Sequence, residues 1–416
     1  MQSPHIVFFN RSFYPETSAV GQLLTELCVG LVRDHGCRVS VIAGYPLVWA
    51  DGDRDTRRRD LIEHEFFQGV EIFRSRGTTF SKASFVGRAS NYVSYFLSAS
   101  VGGLRFKDAD VVVGMTDPPI IGLAALFAAR RARAKFVMLY QDVFPEVARL
   151  LEDFRSETVN RFLDRINRLL IRSADRVIAL GETMRERLVQ GKGAEPRKVA
   201  VIHNWADCSE IAPKPKRNSF SLEHGLVDEF VVMHSGNMGL SQGLERVLEA
   251  AVRLREFSDI EVMFIGDGVL RPLLEERVRS TRLDNVRFLP YQPKERLAES
   301  FASADVFIVS LKQGLAGYIV PSKLYGILAA GRPYVAAVEK ESEVATITTQ
   351  YDCGLLAEPE NPDDIADKIL TLYRDPLLCR RLAVNARKAA LHFDRPRQVR
   401  AYYSLFRELV EARSET

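Results

Sequence analysis

No uninterrupted apolar stretch in the 416 residues reaches the roughly 18 to 20 needed to cross a bilayer, so no membrane-spanning helix is expected. The opening residues, MQSPHIVFFNRSF, enter a short apolar strand at once. They lack the charged start, long apolar core and small-residue cleavage site of a secretion signal. Cysteine is scarce: the five present, Cys28, Cys37, Cys208, Cys353 and Cys379, are odd in number and scattered, none at C-x-x-C or Cys/His ligand spacing. They predict reduced core thiols, no metal site and, with the missing signal, a cytoplasmic protein. An excess of one charge is lacking too, since 57 basic and 54 acidic residues leave only +3, which predicts no nucleic-acid partner. After the first strand there is no G-x-G-x-x-G, which counts against a nicotinamide dehydrogenase. Short acidic triplets at 51–53, 53–55 and 108–110 read as solvated loops.

What remains is an ordinary globular composition, 46% hydrophobic and 27% charged. The length favours two domains of about 200 residues. The run Ile6, Val7, Phe8 and Phe9 suits a strand buried on both faces. Leu23, Leu24, Leu27, Cys28, Leu31 and Val32 recur at helical spacing up to His35 and Gly36, and VSVIAGY supplies the next strand. Further strands are expected at 111–115, 135–140, 176–180 and 198–204, the alternation of a parallel sheet with helical crossovers. Proline and charge replace the apolar period at 212–221, where a linker is expected. The pattern then restarts, with strands at 230–235, 260–266, 286–289, 306–311 and 334–338 and helices near Gln242, Leu270, Pro293 and Pro321. The tail carries Val399, Tyr402, Tyr403, Phe406, Leu409 and Val410 at helical spacing, a stripe that needs a partner surface. The predicted architecture is α/β: two doubly wound, Rossmann-like domains, 1–205 and 206–395, facing a cleft, with a helix over 396–416 returning to the first.

Doubly wound sheets bind ligands at the carboxyl ends of their strands, so the loops there are the place to look for chemistry. Ser18 is placed to cap a helix, either as an ordinary start or as an end whose free N–H groups meet an anion, with Gly21 allowing close approach. In HSGNMGLSQGLE, Gly236, Gly239 and Gly243 follow a strand and form either a structural turn or a backbone cradle for a diphosphate. Gly266, Asp267 and Gly268 close the next strand in a tight turn, with Asp267 read as turn-forming. In IVPSKLYGILAAGRPYVAAV, Pro321 and Ser322 open a helix whose first turn carries Lys323. A cation there opposes the positive helix end, so a nucleotide phosphate is the expected partner, against the plainer reading of a solvated lysine. Asp142 and Glu146, just past the strand KFVMLY, are placed to act as base or acceptor orienter, or only to cap a helix.

Taken in order, FYPETSAVG, QDVFPE, VIHNWAD, SGNMGLSQGLE, FIGDG, PSKLYGILAAGRPYVA and NARKAALHFD resemble the family 4 retaining glycosyltransferases, in particular a WbuB-like bacterial branch. The resemblance implies a GT-B fold, a nucleotide-sugar donor held mainly by the second domain, an acceptor held mainly by the first, and no cofactor beyond the donor. It places Ser18, Gly21, Gly236, Ser322 and Lys323 at the donor diphosphate. Asn237 and Gln242 stand there too, where many relatives carry an arginine and a lysine. Asp142 takes the catalytic position with Lys323, Glu146 the acceptor side and Asn204 the crossover between domains. Tyr318 and Gly326 replace the paired glutamates of the wider family and fall in the sugar and nucleotide cleft with Gly266, Asp267 and Tyr291. The implied reaction is metal-independent transfer with retention, from a UDP-linked donor such as a hexosamine to a glycan or lipid-linked acceptor of bacterial surface polysaccharide. A lysine and backbone amides would stabilise the leaving diphosphate.

The aromatic and basic stretch 80–107 reads either as a core helix or as a peripheral contact with an anionic membrane that admits a lipid-linked acceptor. Two other functions fit the same layout. One is a sugar-nucleotide epimerase; the other is a catalytically silent nucleotide-sugar-binding homologue, which Tyr318 and Gly326 suggest.

Overall fold

The computed structural model describes residues 3–16, 18–46, 60–80, 85–151 and 156–414; the triplets at 51–55 and positions 81–84 of the aromatic stretch lie outside them. The chain divides into two compact units, Met1–His203 with Pro396–Thr416, and Asn204–Arg395. In the first, β1 (His5–Phe9), β2 (Arg38–Gly44), β3 (Ile62–Phe67), β4 (Val70–Ser75), β5 (Val111–Gly114), β6 (Lys135–Leu139), β7 (Arg176–Ala179) and β8 (Val199–Val201) form one sheet in the order β3-β4-β2-β1-β5-β6-β7-β8. Every residue of β1 is buried, as its unbroken apolar run requires of a central parallel strand. Among the described residues the single antiparallel pair is β3–β4, turned at Gln68 and Gly69, both at positive φ. The helices α1 (Ala19–His35), α2 (Phe85–Gly103), α3 (Ile121–Ala132), α4 (Glu146–Leu150), α5 (Glu157–Ser173) and α6 (Glu182–Glu186) cover this sheet.

The second unit holds β9 (Phe230–Ser235), β10 (Ile260–Ile265), β11 (Val286–Leu289), β12 (Val306–Ser310), β13 (Tyr334–Ala337) and β14 (Leu355–Ala357), all parallel, in the order β11-β10-β9-β12-β13-β14. Its helices are α7 (Ser219–Glu223), α8 (Leu244–Leu254), α9 (Arg271–Thr281), α10 (Lys294–Ala302), α11 (Lys323–Ala329), α12 (Glu343–Tyr351), α13 (Pro362–Arg374) and α14 (Pro376–Ala390). In both sheets the order reverses beside the first strand, so the loops after β1, β5, β9 and β12 lie at a topological switch point.

The final helix, α15 (Arg395–Ser414), belongs to the first unit. Its stripe buries Val399, Tyr402, Phe406 and Leu409, with Phe406 edge-on to Phe8 and Tyr403 stacked on His35. Each such apolar side chain contributes roughly 1.5–3 kcal/mol on burial. The linker expected at 212–221 is corrected: it lies inside the second unit, and the chain changes unit at His203 and Asn204. Lys216 there contacts Asp305 and the Glu229 carbonyl, and Asn218 forms a capping box at the start of α7. Of the acidic triplets, 108–110 is structural, with Asp110 accepting from the His5 amide at 2.9 Å. All five cysteines are free thiols.

Candidate active site

The loops after β9 and β10 lie back to back. Gly236 N donates to the Ile265 carbonyl and Met238 N to the Asp267 carbonyl, both at 2.8 Å. Gly266 and Gly268, at φ of 136° and 153°, make this approach feasible, since a Cβ on them would fall 2.0 Å from the Gly236 oxygen and 2.5 Å from the Met238 oxygen. The amide of Gly236 is thereby committed within the protein, so the expected cradle loses that donor. Asp267 accepts from the Gly268 amide at 2.8 Å, as a turn former does, and its carbonyl lies 3.5 Å from the half-exposed Tyr291 hydroxyl.

Beside this turn, α11 carries Lys323, whose Nζ lies 2.9 Å from Gln242 Oε1 and 3.1 Å from His234 Nε2. A Cβ on Gly236 would stand 3.8 Å from the same ammonium. No carboxylate pairs with Lys323 among the described residues. Burial brings its pKa down from the ordinary 10.5 to about 7. His234, fully buried at the end of β9, is held neutral by burial and then by the Lys323 charge. Ser322 occupies the helix N-cap without a side-chain capping bond. Asn237 is exposed, against the turn at Gly239 and Gly268. Lys323, Gln242, Gly236 and Ser322 therefore share one corner at the strand ends. His234 joins them, and only its position at the end of a buried strand could have signalled it.

Tyr318 sits in a turn, its amide bonded to the Leu315 carbonyl at 3.0 Å. This loop is held by Glu339, which accepts from the amides of Gly314 and Ala316 at 2.9 and 3.1 Å, a carboxylate the sequence did not single out. Gly326 lies on α11 against α10. A Cβ there would meet the Phe301 ring at 3.0 Å and Ile211 at 3.9 Å, so the glycine answers to the packing of α11 on α10.

In the first unit Ser18 caps α1, its Oγ accepting from the Gly21 amide at 3.3 Å, which removes that N–H from ligand binding. After β1, β5 and β6 a charged group forms whose members Arg11 and Asp117 the sequence did not single out. Arg11 clasps Asp117 through Nε at 3.2 Å and Nη2 at 3.1 Å, and Ser12 Oγ donates to Asp117 at 2.7 Å. Burial would lower the Arg11 pKa, but the charges of Asp117 and Glu16 outweigh it and hold the guanidinium ionised. Burial, then the Asp117 charge, pushes the Asp142 carboxyl from 3.8 up to about 6, near neutrality, where proton exchange with a hydroxyl is efficient. Glu146 has a partner that the sequence did not suggest. One of its oxygens lies 2.6 Å from the buried Lys192, so it opens α4 as part of an ion cluster. Among the described residues no group of three or more His, Cys, Asp or Glu is placed to hold a metal ion.

Comparison with known proteins agrees with this frame. HepE (Alr3699) of Anabaena, solved with UDP and glucose, matches 96% of this chain and 98% of its own at a TM-score of 0.70; at 17% identity the likeness shows the fold alone. That fold, two Rossmann-like units with their loops at the strand ends, is the GT-B glycosyltransferase fold. Two family models match in tandem, the Glycosyl transferase 4-like domain over residues 18–205 and Glycosyl transferases group 1 over 217–389. WbjE of Pseudomonas aeruginosa, named a probable glycosyltransferase, is 28% identical over 285 residues, 67% of this chain and 70% of that one. WcaI of Escherichia coli (strain K12), whose name places it in colanic acid biosynthesis, is 24% identical over 369 residues, 86% and 89% of the two chains. The chain belongs to the family 4 glycosyltransferases; the comparisons establish the family and not a branch within it.

Proposed function

We propose that the protein transfers a sugar from a UDP-linked donor to a glycan or lipid-linked acceptor of bacterial surface polysaccharide, with retention and without a metal ion or cofactor. The observation that carries this is Lys323, an enclosed cation at the strand ends with no carboxylate partner among the described residues, beside the Gly236 turn. An anion satisfies it, and a leaving diphosphate is the anion that a sugar transfer develops. The colanic acid assignment in the name of WcaI and the UDP bound to HepE support the pathway and the nucleotide. In the first unit Asp142 holds the acceptor hydroxyl. The test is transfer from a panel of UDP-, GDP- and ADP-linked sugars, hexosamines included, to a bacterial membrane extract with chelator present. Release of UDP only with acceptor supports the reading, and epimerised donor without acceptor would move it to an epimerase.

The acceptor side supports a peripheral membrane contact. No described helix is long and apolar enough to cross a membrane. Yet α2, α3 and α5 pack side by side and expose Val93, Leu97, Val101, Phe127, Phe162 and Leu169 among Arg130, Arg131, Arg161 and Arg165. On α1 and α15 no described large apolar side chain is exposed. An apolar and basic face of this kind suits an anionic leaflet. The protein is expected to float with vesicles containing phosphatidylglycerol at low salt, and the double substitution Leu97→Asp and Phe162→Asp to release it. Equal flotation of parent and variant would remove this face from the account.

A further inference from the structure

We infer that Lys192, 50 residues from Asp142 in sequence, is a positioning residue for Asp142; the inference rests on the reading of Asp142 proposed above. Lys192 is 1% exposed and stands at the end of a π-helical turn, Arg187–Gly191. Its ammonium lies 2.6 Å from Glu146 Oε1 and 2.7 Å from Asp164 Oδ1. Asp164 is held in turn by Arg168 at 2.7 Å, and Arg168 also donates to the Gly191 carbonyl at 2.9 Å. Lys192 thus joins the start of α4 to the middle of α5. On the other flank of the same loop Tyr140 bonds Asn167, and Asn167 donates to the Phe144 carbonyl. The segment that carries Asp142 is therefore tied at 140, 144 and 146, each time to a side chain of α5 or to Lys192.

A buried ion pair adds little net stability over apolar residues of the same volume, because desolvation consumes most of the attraction. Its geometry is nevertheless strict, since each charge is satisfied only where its partner stands. Removing the ammonium leaves Asp164 paired with Arg168 but Glu146 without its cation, and Glu146 Oε2 already lacks a partner. The start of α4 must then swing toward water and take the Asp142 loop with it. A displacement of about 1 Å at a catalytic group costs on the order of a hundredfold in rate.

The experiment compares Lys192→Met with the parent. The expected result is kcat lowered about tenfold to a hundredfold, with KM for the donor and UDP affinity each within about twofold, and an acid limb of the pH profile displaced from that of the parent. A purely structural role would lower the active fraction and leave the pH profile in place. Unchanged kcat and pH profile in folded Lys192→Met would overturn the inference. If that variant does not purify folded, Glu146→Ala, which cuts the same tie at its more exposed end, carries the same expectation. Asp142→Asn separates the two failures: full turnover in that variant sinks the role of Asp142 itself, whereas loss of turnover there with unchanged Lys192→Met sinks only the positioning.

Discussion

Replacing Lys323 by methionine will weaken UDP binding at pH 7 about tenfold to a hundredfold, lower kcat about a hundredfold to a thousandfold, and leave the unliganded fold at least as stable. The first figure follows from removing a charged hydrogen bond to phosphate, the second from removing a donor to the charge that develops on the leaving group. Stability follows from the pKa. Burial sets the folded value near 7 and the unfolded chain keeps the ordinary 10.5. The unfolded chain therefore binds more protons between those values, and the unliganded parent gains stability as pH rises through that window. Below it the buried ammonium is a cost that methionine removes, while its stem still packs beside Gly236. Bound diphosphate reverses the preference, so binding above pH 7 must take up a proton, and the parent's affinity falls by up to about tenfold per pH unit between 7 and 10. The variant's affinity lacks that slope. Calorimetry at pH 7 and pH 9 reads both effects, and equal affinities at pH 7 would remove Lys323 from the donor site.

Asp142→Asn is expected to lower kcat by about a hundredfold to ten-thousandfold while UDP affinity stays within twofold, because Asp142 and Lys323 lie in different units. In the parent, kcat should fall as pH drops through about 6, where the carboxylate that holds the acceptor hydroxyl becomes protonated. The stability sign is opposite to that of an ordinary ion-paired carboxylate. Its folded pKa is raised above 3.8, so its contribution is complete below that value and lost as pH rises through about 6. The asparagine side chain, which carries no charge to desolvate, therefore raises the melting midpoint at pH 7 to 8. A midpoint that falls, with kcat unchanged, would show a structural carboxylate and no catalytic one.

Most of the sheet framework was legible because central parallel strands are buried on both faces and read as unbroken apolar runs. The bounds of β9 and β11 fall where the residues place them. The hairpin β3–β4 escaped because its strands alternate charge with aromatics, as in IEHEFF, and its turn uses Gln68 with Gly69 in place of the usual Asn-Gly or Asp-Gly. At the site, local chemistry was readable where a residue's meaning is set by its own loop: Ser18 as a cap, Lys323 at the head of α11. It failed where meaning depends on a distant partner. Nothing local to Glu146 announces Lys192, 46 residues away, as its partner, and nothing local to Gly326 announces the Phe301 ring against it. Arg11 and Asp117 lie 106 residues apart and are joined only by the adjacency of β1 and β5.

The central claim, metal-free transfer with retention from a nucleotide-linked sugar, is tested most directly by proton NMR of the glycoside formed from an α-linked UDP-sugar in the presence of chelator, with the anomeric coupling of the product compared with that of the donor. The account predicts an α-linked product and one UDP released per sugar transferred. A β-linked product, or no transfer until a divalent cation is restored, would contradict it.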